Sequence, residues 1–393
     1  MHVDTFSPNL QNELMQTPRI CHLSSVHFAG DSRIYQKQAR SLRAAGFAVT
    51  VIAREDLATV PDGDIEVIGL APVKGRVRRF LQTMRVATLA LRCRCLAYVI
   101  HDPELLPVAV LLKLITRRRV VFDVHEDVPE QIMMKEWIPV IWRPLLSTLY
   151  RICEKLALPF VDAVVLAEQD YEKNYRSRRF VTVLNYPVIP DPPPEYPPLP
   201  SDQHRPTLVY IGTITANRGL FTMLEIVRLL QSDIPDVLLK LVGPLAVSSE
   251  ETAARSFVSH HQLESNVHFV GRVAPNEISA HIVGADIGLA LLHGEGNYVA
   301  SLPTKLFEYM LVGIPVIVSR FPLWESIVRN AGCGVSADPN DCPKLAAMAK
   351  ELLLDDGTRE TMGAHGRAAV LRHYRWQTQS TILVALYRDL LNR

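Results

Sequence analysis

ICHLSSVHFAGDSRIYQKQARSLRAAGFAVTVIA (20–53) reads as strand, loop, helix and strand in about 33 residues. ICHLSSV (20–26) is a short apolar run. HFAGDSR leads into a helical stretch from Ile34 to Ala45, Gly46 stops it, and FAVTVIA (47–53) is the next strand. Two strands of this kind joined by a helix belong side by side in a parallel sheet. The alternation recurs at CLAYVIH (95–101), RRVVFDVH (118–125), VDAVVLA (161–167) and FVTVLN (180–185). It is interrupted at 186–206, which holds nine of the chain's 27 prolines and reads as an extended linker. It restarts with TLVYIG (207–212), VLLKLVG (237–243), VHFVG (267–271), IGLALL (287–292) and IPVIVS (314–319), with a helix at 220–230.

The predicted architecture is therefore α/β, with two doubly wound, Rossmann-like parallel-sheet domains, 18–185 and 207–373. Residues 1–17 have no period and are expected to be disordered. In such folds ligands bind outside the carboxyl ends of the strands, here expected in a central cleft between the halves.

With 393 residues, 48% hydrophobic and 21% charged, the chain has the composition of a globular protein with a large core. A net charge of +1 gives no support for a nucleic-acid partner. The six cysteines lack metal spacing and predict reduced thiols. No apolar run reaches the ~18 residues of a membrane span, and the polar N-terminus with Asp4 does not read as a secretory signal, so a cytoplasmic location is expected.

The chemistry should lie at the strand ends. GDSR (30–33) is a glycine loop before a helix; it is either an ordinary turn or a place where Gly30 and Arg33 meet an anionic ligand. His125 ends a central strand, followed by Glu126. The H-E-x-x-H zinc pattern fails because Pro129 stands where the second histidine belongs. His125 is either a structural histidine or a hydrogen-bond donor to a ligand, and His101-Asp102 occupy the same place one strand earlier. In YIGTITANRGL (210–220), Arg218 flanks the start of a helix after Gly212; it is either a solvated loop arginine or, as the helix start favours, part of a local anion site.

SLPTKLFEYMLVGIPVIVSR (301–320) adds a second helix start. Ser301 is expected to cap it, Pro303 to sit in its first turn and Gly313 to close it. Lys305 and Glu308 either form a surface pair or face a ligand. Leu306, Phe307, Met310 and Leu311 cover most of the helix, so a charge there is expected to need a partner. The amides near Thr304 with Lys305 would hold a diphosphate, and Glu308 the diol of a ribose.

HDPELLP (101–107), VVFDVHEDVPEQI (120–132), VYIGTITANRGL (209–220), LVGP (241–244), VHFVGRV (267–273) and PTKLFEYMLVGIPVI (303–317) together resemble the family 4 retaining glycosyltransferases of GT-B fold, over roughly residues 20–393. The resemblance implies a nucleotide-sugar donor, UDP first and GDP next, held by the C-terminal domain through Gly212, Thr213, Arg218, Gly243, Arg272, Pro303, Thr304, Lys305 and Glu308. It implies Gly30 facing the diphosphate and His125 near the transferred sugar, with catalysis shared by His125, Arg218 and Lys305. A saccharide or lipid-linked acceptor would meet the N-terminal domain, with Arg33, His101, Asp102 and Glu126 as candidates. Residues 374–393 resemble the terminal helix that crosses back to the first domain.

Two positions depart from the family pattern. Ala300 stands where the first glutamate of a pair is usual, and Thr213 where a basic residue is usual; Lys305 is a candidate replacement for the lost charge. No D-x-D cluster ends a strand, so no metal or other cofactor is expected. A 2-epimerase of the same fold and a non-catalytic nucleotide-sugar-binding subunit are the alternatives. KGRVRRF (74–80) and EWIPVIWRPLLSTLYR (136–151) read either as a solvated basic face and a core helix or as a peripheral contact with anionic membrane.

Overall fold

The computed structural model describes residues 17–55, 63–73, 75–135, 137–196, 204–274, 277–294 and 299–392. Nearly all of the segment expected to be disordered, and 197–203 of the expected linker, lie outside these residues. The chain divides into two compact units, Met1–Asn185 with Trp376–Arg393, and Tyr186–Arg375.

In the first unit seven parallel strands run in the order β3-β2-β1-β4-β5-β6-β7: β1 (Arg19–Phe28), β2 (Ala48–Arg54), β3 (Glu66–Leu70), β4 (Ala97–Ile100), β5 (Arg119–Val124), β6 (Ala163–Leu166) and β7 (Phe180–Thr182). The central strands β4, β5 and β6 are buried almost throughout, which is why they are continuous apolar runs instead of alternating ones. A π-helical stretch, Ser32–Ala39, passes into α1 (Arg40–Ala44). This helix starts earlier than its hydrophobic period suggests, because the Asp31 carboxylate caps it by accepting from the amides of Arg33 and Ile34. The remaining helices are α2 (Arg76–Arg92), α3 (Leu106–Thr116), α4 (Val128–Met134), α5 (Arg143–Ala157) and α6 (Glu172–Tyr175).

The second unit repeats the plan with six parallel strands in the order β10-β9-β8-β11-β12-β13: β8 (Thr207–Ile211), β9 (Leu238–Val242), β10 (Val267–Gly271), β11 (Ile287–Ala290), β12 (Val316–Ser319) and β13 (Gly334–Ala337). Its helices are α7 (Leu220–Leu230), α8 (Ser248–His260), α9 (Ile278–Ile282), α10 (Thr304–Val312), α11 (Pro322–Ala331), α12 (Cys342–Leu354) and α13 (Asp356–His373). The last helix, α14 (Trp376–Leu391), belongs to the first unit. Its Trp376, Leu383, Leu386, Tyr387 and Leu390 join the core under α1, and Trp376 Nε1 donates to Ser41 Oγ at 2.8 Å.

In both sheets strand order reverses at one place, between β1 and β4 and between β8 and β11. Those switch points open a crevice at the carboxyl ends of the strands. The second one is stitched by a residue with no obvious signal in the sequence. Tyr309, fully buried on α10, accepts from the Ile211 amide at 3.0 Å and donates to the Leu289 carbonyl at 3.1 Å. Its ring lies where a Cβ on Gly288 would meet it at 2.4 Å, so β11 needs glycine there. One hydroxyl thus satisfies two strand ends that have parted and ties α10 to both. Tyr309→Phe leaves a buried N–H and C=O unpaired and should lower unfolding free energy by about 1–3 kcal/mol, read by urea denaturation.

Candidate functional site

The second unit's switch point gathers most of the residues expected to hold a donor. Gly212 follows β8 at φ +112°, and Gly243 follows β9 at φ +142°. A Cβ on Gly243 would meet the Gly212 carbonyl oxygen at 2.0 Å, so the two strand ends touch backbone to backbone. Arg218 ends a 3-10 turn, Ala216–Arg218, and Gly219 (φ +88°) begins α7. Arg272 is exposed just after β10, the edge strand. The Thr213 carbonyl accepts from Tyr210 Oη at 2.8 Å.

Helix α10 begins at Thr304 with Pro303 as its N-cap and no side-chain cap. The expectation that Ser301 caps it is corrected. Ser301 lies three residues before the helix, and its carbonyl instead accepts from Trp324 Nε1 at 2.7 Å. Gly313 closes the helix at φ +92°. Leu306, Phe307, Tyr309 and Met310 are buried.

The Lys305 ammonium is buried, although part of its stem remains open. It stands 3.9 Å from the centre of the Tyr210 ring, beneath Gly212, and has no hydrogen-bond partner among the described residues. Burial, and then the charge of Arg218, hold its pKa well below the ordinary lysine value; Glu308 opposes them. The alternative of a solvated surface pair with Glu308 is thereby excluded for the lysine. The charges of Lys305 and Arg218 and the positive end of the α10 dipole converge here, with Glu308 as the carboxylate that acts on Lys305 and no hydrogen-bonded counter-ion on its ammonium among the described residues.

The first unit's switch point holds a different device, centred on Asp123. This fully buried carboxylate ends no strand; it lies inside β5 and carries four partners. Arg33 grips it with Nη2 on Oδ1 at 2.7 Å and Nε on Oδ2 at 3.1 Å. Gln38 Nε2 (2.6 Å), His101 Nδ1 (3.0 Å) and His125 Nε2 (2.8 Å) meet Oδ2. Burial alone would raise its pKa, but Arg33 and the histidines outweigh that and hold it well below the usual carboxylate range.

An ionised Asp123 sets the tautomers along the chain of rings. His101 donates through Nδ1, so its Nε2 accepts from His22 Nδ1 at 2.9 Å. His22 Nε2 then remains a buried, unpaired acceptor. Burial lowers the pKa of both His22 and His101, keeping them neutral. His125 donates Nε2–H to Asp123, which leaves Nδ1 as an acceptor.

Three acceptor-site candidates are corrected by the same contacts. Arg33 is buried and committed to Asp123 and to the Val183 carbonyl (2.8 Å), so its charge is already neutralised inside the unit instead of facing a ligand anion. His101 is enclosed within the ring chain. Asp102 is buried and accepts from Ser24 Oγ (2.9 Å), the Ser25 amide (2.5 Å) and the Val26 amide (3.1 Å), fixing the irregular second half of β1. Each was a polar residue after an apolar strand, but closing the loops required it. Gly30 lies in the turn after β1, and exposed Glu126 bonds Gln131. His27 bridges toward Asp31 at 3.2 Å; burial disfavours its charge, but Asp31 and Asp102 outweigh it and raise its pKa.

Among the described residues, His101, Asp123 and His125 are the group close enough to share a metal ion, with ligand atoms within 4.8 Å of one another. Asp123 Oδ2 already accepts from Arg33 and Gln38, so its lone pairs are spent, and the trio is better described as a hydrogen-bonded hub.

The repeated six-strand order, its two switch points and the terminal helix returning to the first unit define a GT-B glycosyltransferase fold. Comparison with known proteins agrees. Residues 30–192 match the model described as "Glycosyl transferase 4-like domain", and 195–369 match "Glycosyl transferases group 1". The chain belongs to this family of GT-B glycosyltransferases. It is 27% identical over 188 residues to a GDP-mannose-dependent alpha-(1-6)-phosphatidylinositol monomannoside mannosyltransferase of Mycobacterium tuberculosis, covering 47% of this chain and 48% of that one. It is 24% identical over 185 residues to a putative colanic acid biosynthesis glycosyltransferase of Salmonella typhimurium, covering 47% and 45%. These matches span about half the length of the curated relatives. Sucrose-phosphate synthase from Thermosynechococcus elongatus superposes with a TM-score of 0.74 at 20% identity, covering 96% of this chain and all of that one (100%). Anabaena HepE in complex with UDP and glucose gives 0.69 at 15% identity, covering 95% and 99%. At these identities the likeness shows the fold.

Proposed function

We propose that the chain transfers a glycosyl unit from a nucleoside-diphosphate sugar to a saccharide or lipid-linked acceptor, with retention and without a metal, on the cytoplasmic side of the cell. The observation that carries this is the buried Lys305 ammonium, unpartnered among the described residues, beside Arg218 at the start of α10. A cation kept from water without a hydrogen-bonded counter-ion is a site that awaits one. A diphosphate leaving group develops negative charge as the glycosyl bond breaks, and these preorganised groups meet it. In this reading Glu308, one turn along α10, would take the ribose diol, Arg272 the base, and His125 a hydroxyl of the transferred sugar. Two cations and helix amides supply the compensation a metal would otherwise give. Several relatives are GDP-mannose-dependent mannosyltransferases, which moves GDP ahead of UDP as the donor nucleotide in this reading.

A thermal-shift panel of GDP, UDP, ADP and CDP, each with and without EDTA, tests it. Saturating GDP or UDP at ~100 times its Kd should stabilise the fold by about 2.7 kcal/mol, unchanged by EDTA. No shift with any nucleotide, or a shift abolished by EDTA, contradicts the reading.

A further inference from the structure

Helix α5 (Arg143–Ala157) is built inside out. Its inward stripe is Arg143, Ser147, Tyr150, Glu154 and Ala157. That stripe is internally satisfied: Arg143 donates to the Ile138 and Met133 carbonyls, Ser147 to the Pro129 carbonyl, and Glu154 accepts from Tyr175 Oη at 2.7 Å. The outward face carries Leu145, Leu149, Ile152 and Leu156, exposed by 56%, 52%, 50% and 68%, where a water-facing helix carries charge. The turn before it adds Trp137, Ile141 and Trp142, all exposed. A contiguous apolar face of this extent marks a binding surface.

Its electrostatic surroundings select the occupant. Helices α2, α3 and α5 pack side by side over one face of the sheet. Together they carry nine Lys and Arg against a single acid, Glu154, while the whole chain has a net charge of only +1. Arg143 and Glu154 are turned inward, and Arg79 and Lys113 pair with Glu104 and Asp162. That leaves Arg78, Arg85, Arg92, Arg151 and Lys155 exposed, with no acid on these helices to offset them. Exposed Leu81 and Met84 on α2, and Leu114 and Ile115 on α3, continue the apolar character. A second copy docked on this face would set like charge against like charge. An anionic bilayer offers the complement: acyl chains for the leucines, phosphates for Arg151 and Lys155, and a boundary zone for the tryptophans.

We propose that the outward face of α5, with the turn Trp137–Trp142, docks flat on an anionic lipid surface. No helix among the described residues is long and apolar enough to cross one. The test is flotation with vesicles of phosphatidylcholine, with and without phosphatidylglycerol. Binding should require phosphatidylglycerol and weaken with salt. The triple substitution Leu145→Ser, Leu149→Ser, Ile152→Ser should weaken it by about tenfold or more. Arg151→Gln and Lys155→Gln should each weaken it by about fivefold. Because these side chains face outward, every variant should keep the parent's melting midpoint. Absence of binding to phosphatidylglycerol vesicles overturns the proposal, as does binding that the triple substitution leaves intact, or a dimer that the same substitution disrupts. No donor is present in this assay, so its outcome is separate from that of the nucleotide panel.

Discussion

Lys305→Met is expected to make the ligand-free protein more stable, by about 1–2 kcal/mol, while removing about 10²–10³-fold of donor turnover. The two effects have one cause. Methionine fills the lysine stem's volume over Tyr210 without requiring an ammonium to lose its hydration. The cation–π contact returns only part of that cost. With a diphosphate bound the balance reverses, because the charge then has its counterpart. Since the folded-state pKa of Lys305 is lowered, the unfolded chain binds more protons between that value and the ordinary lysine range. Stability of the parent should therefore rise with pH across that window, and the variant should lose this slope. Urea midpoints across alkaline pH, alongside a turnover assay, check both halves.

Asp123→Ala should be the most destabilising single change, at about 3–5 kcal/mol, because it strands the buried Arg33 guanidinium and deprives two histidines and Gln38 of their common acceptor. The double variant Arg33→Met, Asp123→Leu should recover most of that loss, since it removes both charges together. The hub also predicts acid sensitivity. Asp123's folded pKa is depressed, so its stabilisation is complete above the ordinary aspartate value and is lost as pH falls through the folded one. His22 and His101 have lowered pKa values too, so the unfolded chain takes up protons first below about pH 6.5. All three act in the same direction. Stability should decline steadily from pH 6.5 downward, and the double variant should flatten the part due to Asp123.

The architecture was legible because parallel strands buried on both faces must be apolar throughout, as in VVFDV and AVVL. The strands that escaped notice, β3 and β13, lie at sheet edges and are only half-buried, so no apolar run marks them. At the second switch point, the argument that an apolar helix cannot leave Lys305 in water holds in the structure. Glu308 also lies on that helix. Asp123 was missed, although a lone acid inside an apolar strand is a pattern that calls for a buried partner. The partner, Arg33, lies 90 residues earlier, and no local period links the two. For the same reason Arg33, His101 and Asp102 resembled ligand contacts: a polar residue after a strand looks alike whether it faces a crevice or closes a loop. Tyr309 was hidden because its hydroxyl serves two strand ends that only the folded sheet brings together.

Central to this account is that the Lys305 ammonium has no hydrogen-bonded counter-ion until a nucleoside diphosphate supplies one, with Arg218 and Glu308 as its charged neighbours. Titration calorimetry of GDP or UDP across the alkaline window between the lowered Lys305 pKa and the ordinary lysine value, where the phosphates are already fully ionised, in buffers of different ionisation enthalpy, counts protons exchanged on binding. Net proton uptake in the parent, absent in Lys305→Met, is the predicted result. Tight binding with no uptake, or with equal uptake in both proteins, would contradict it.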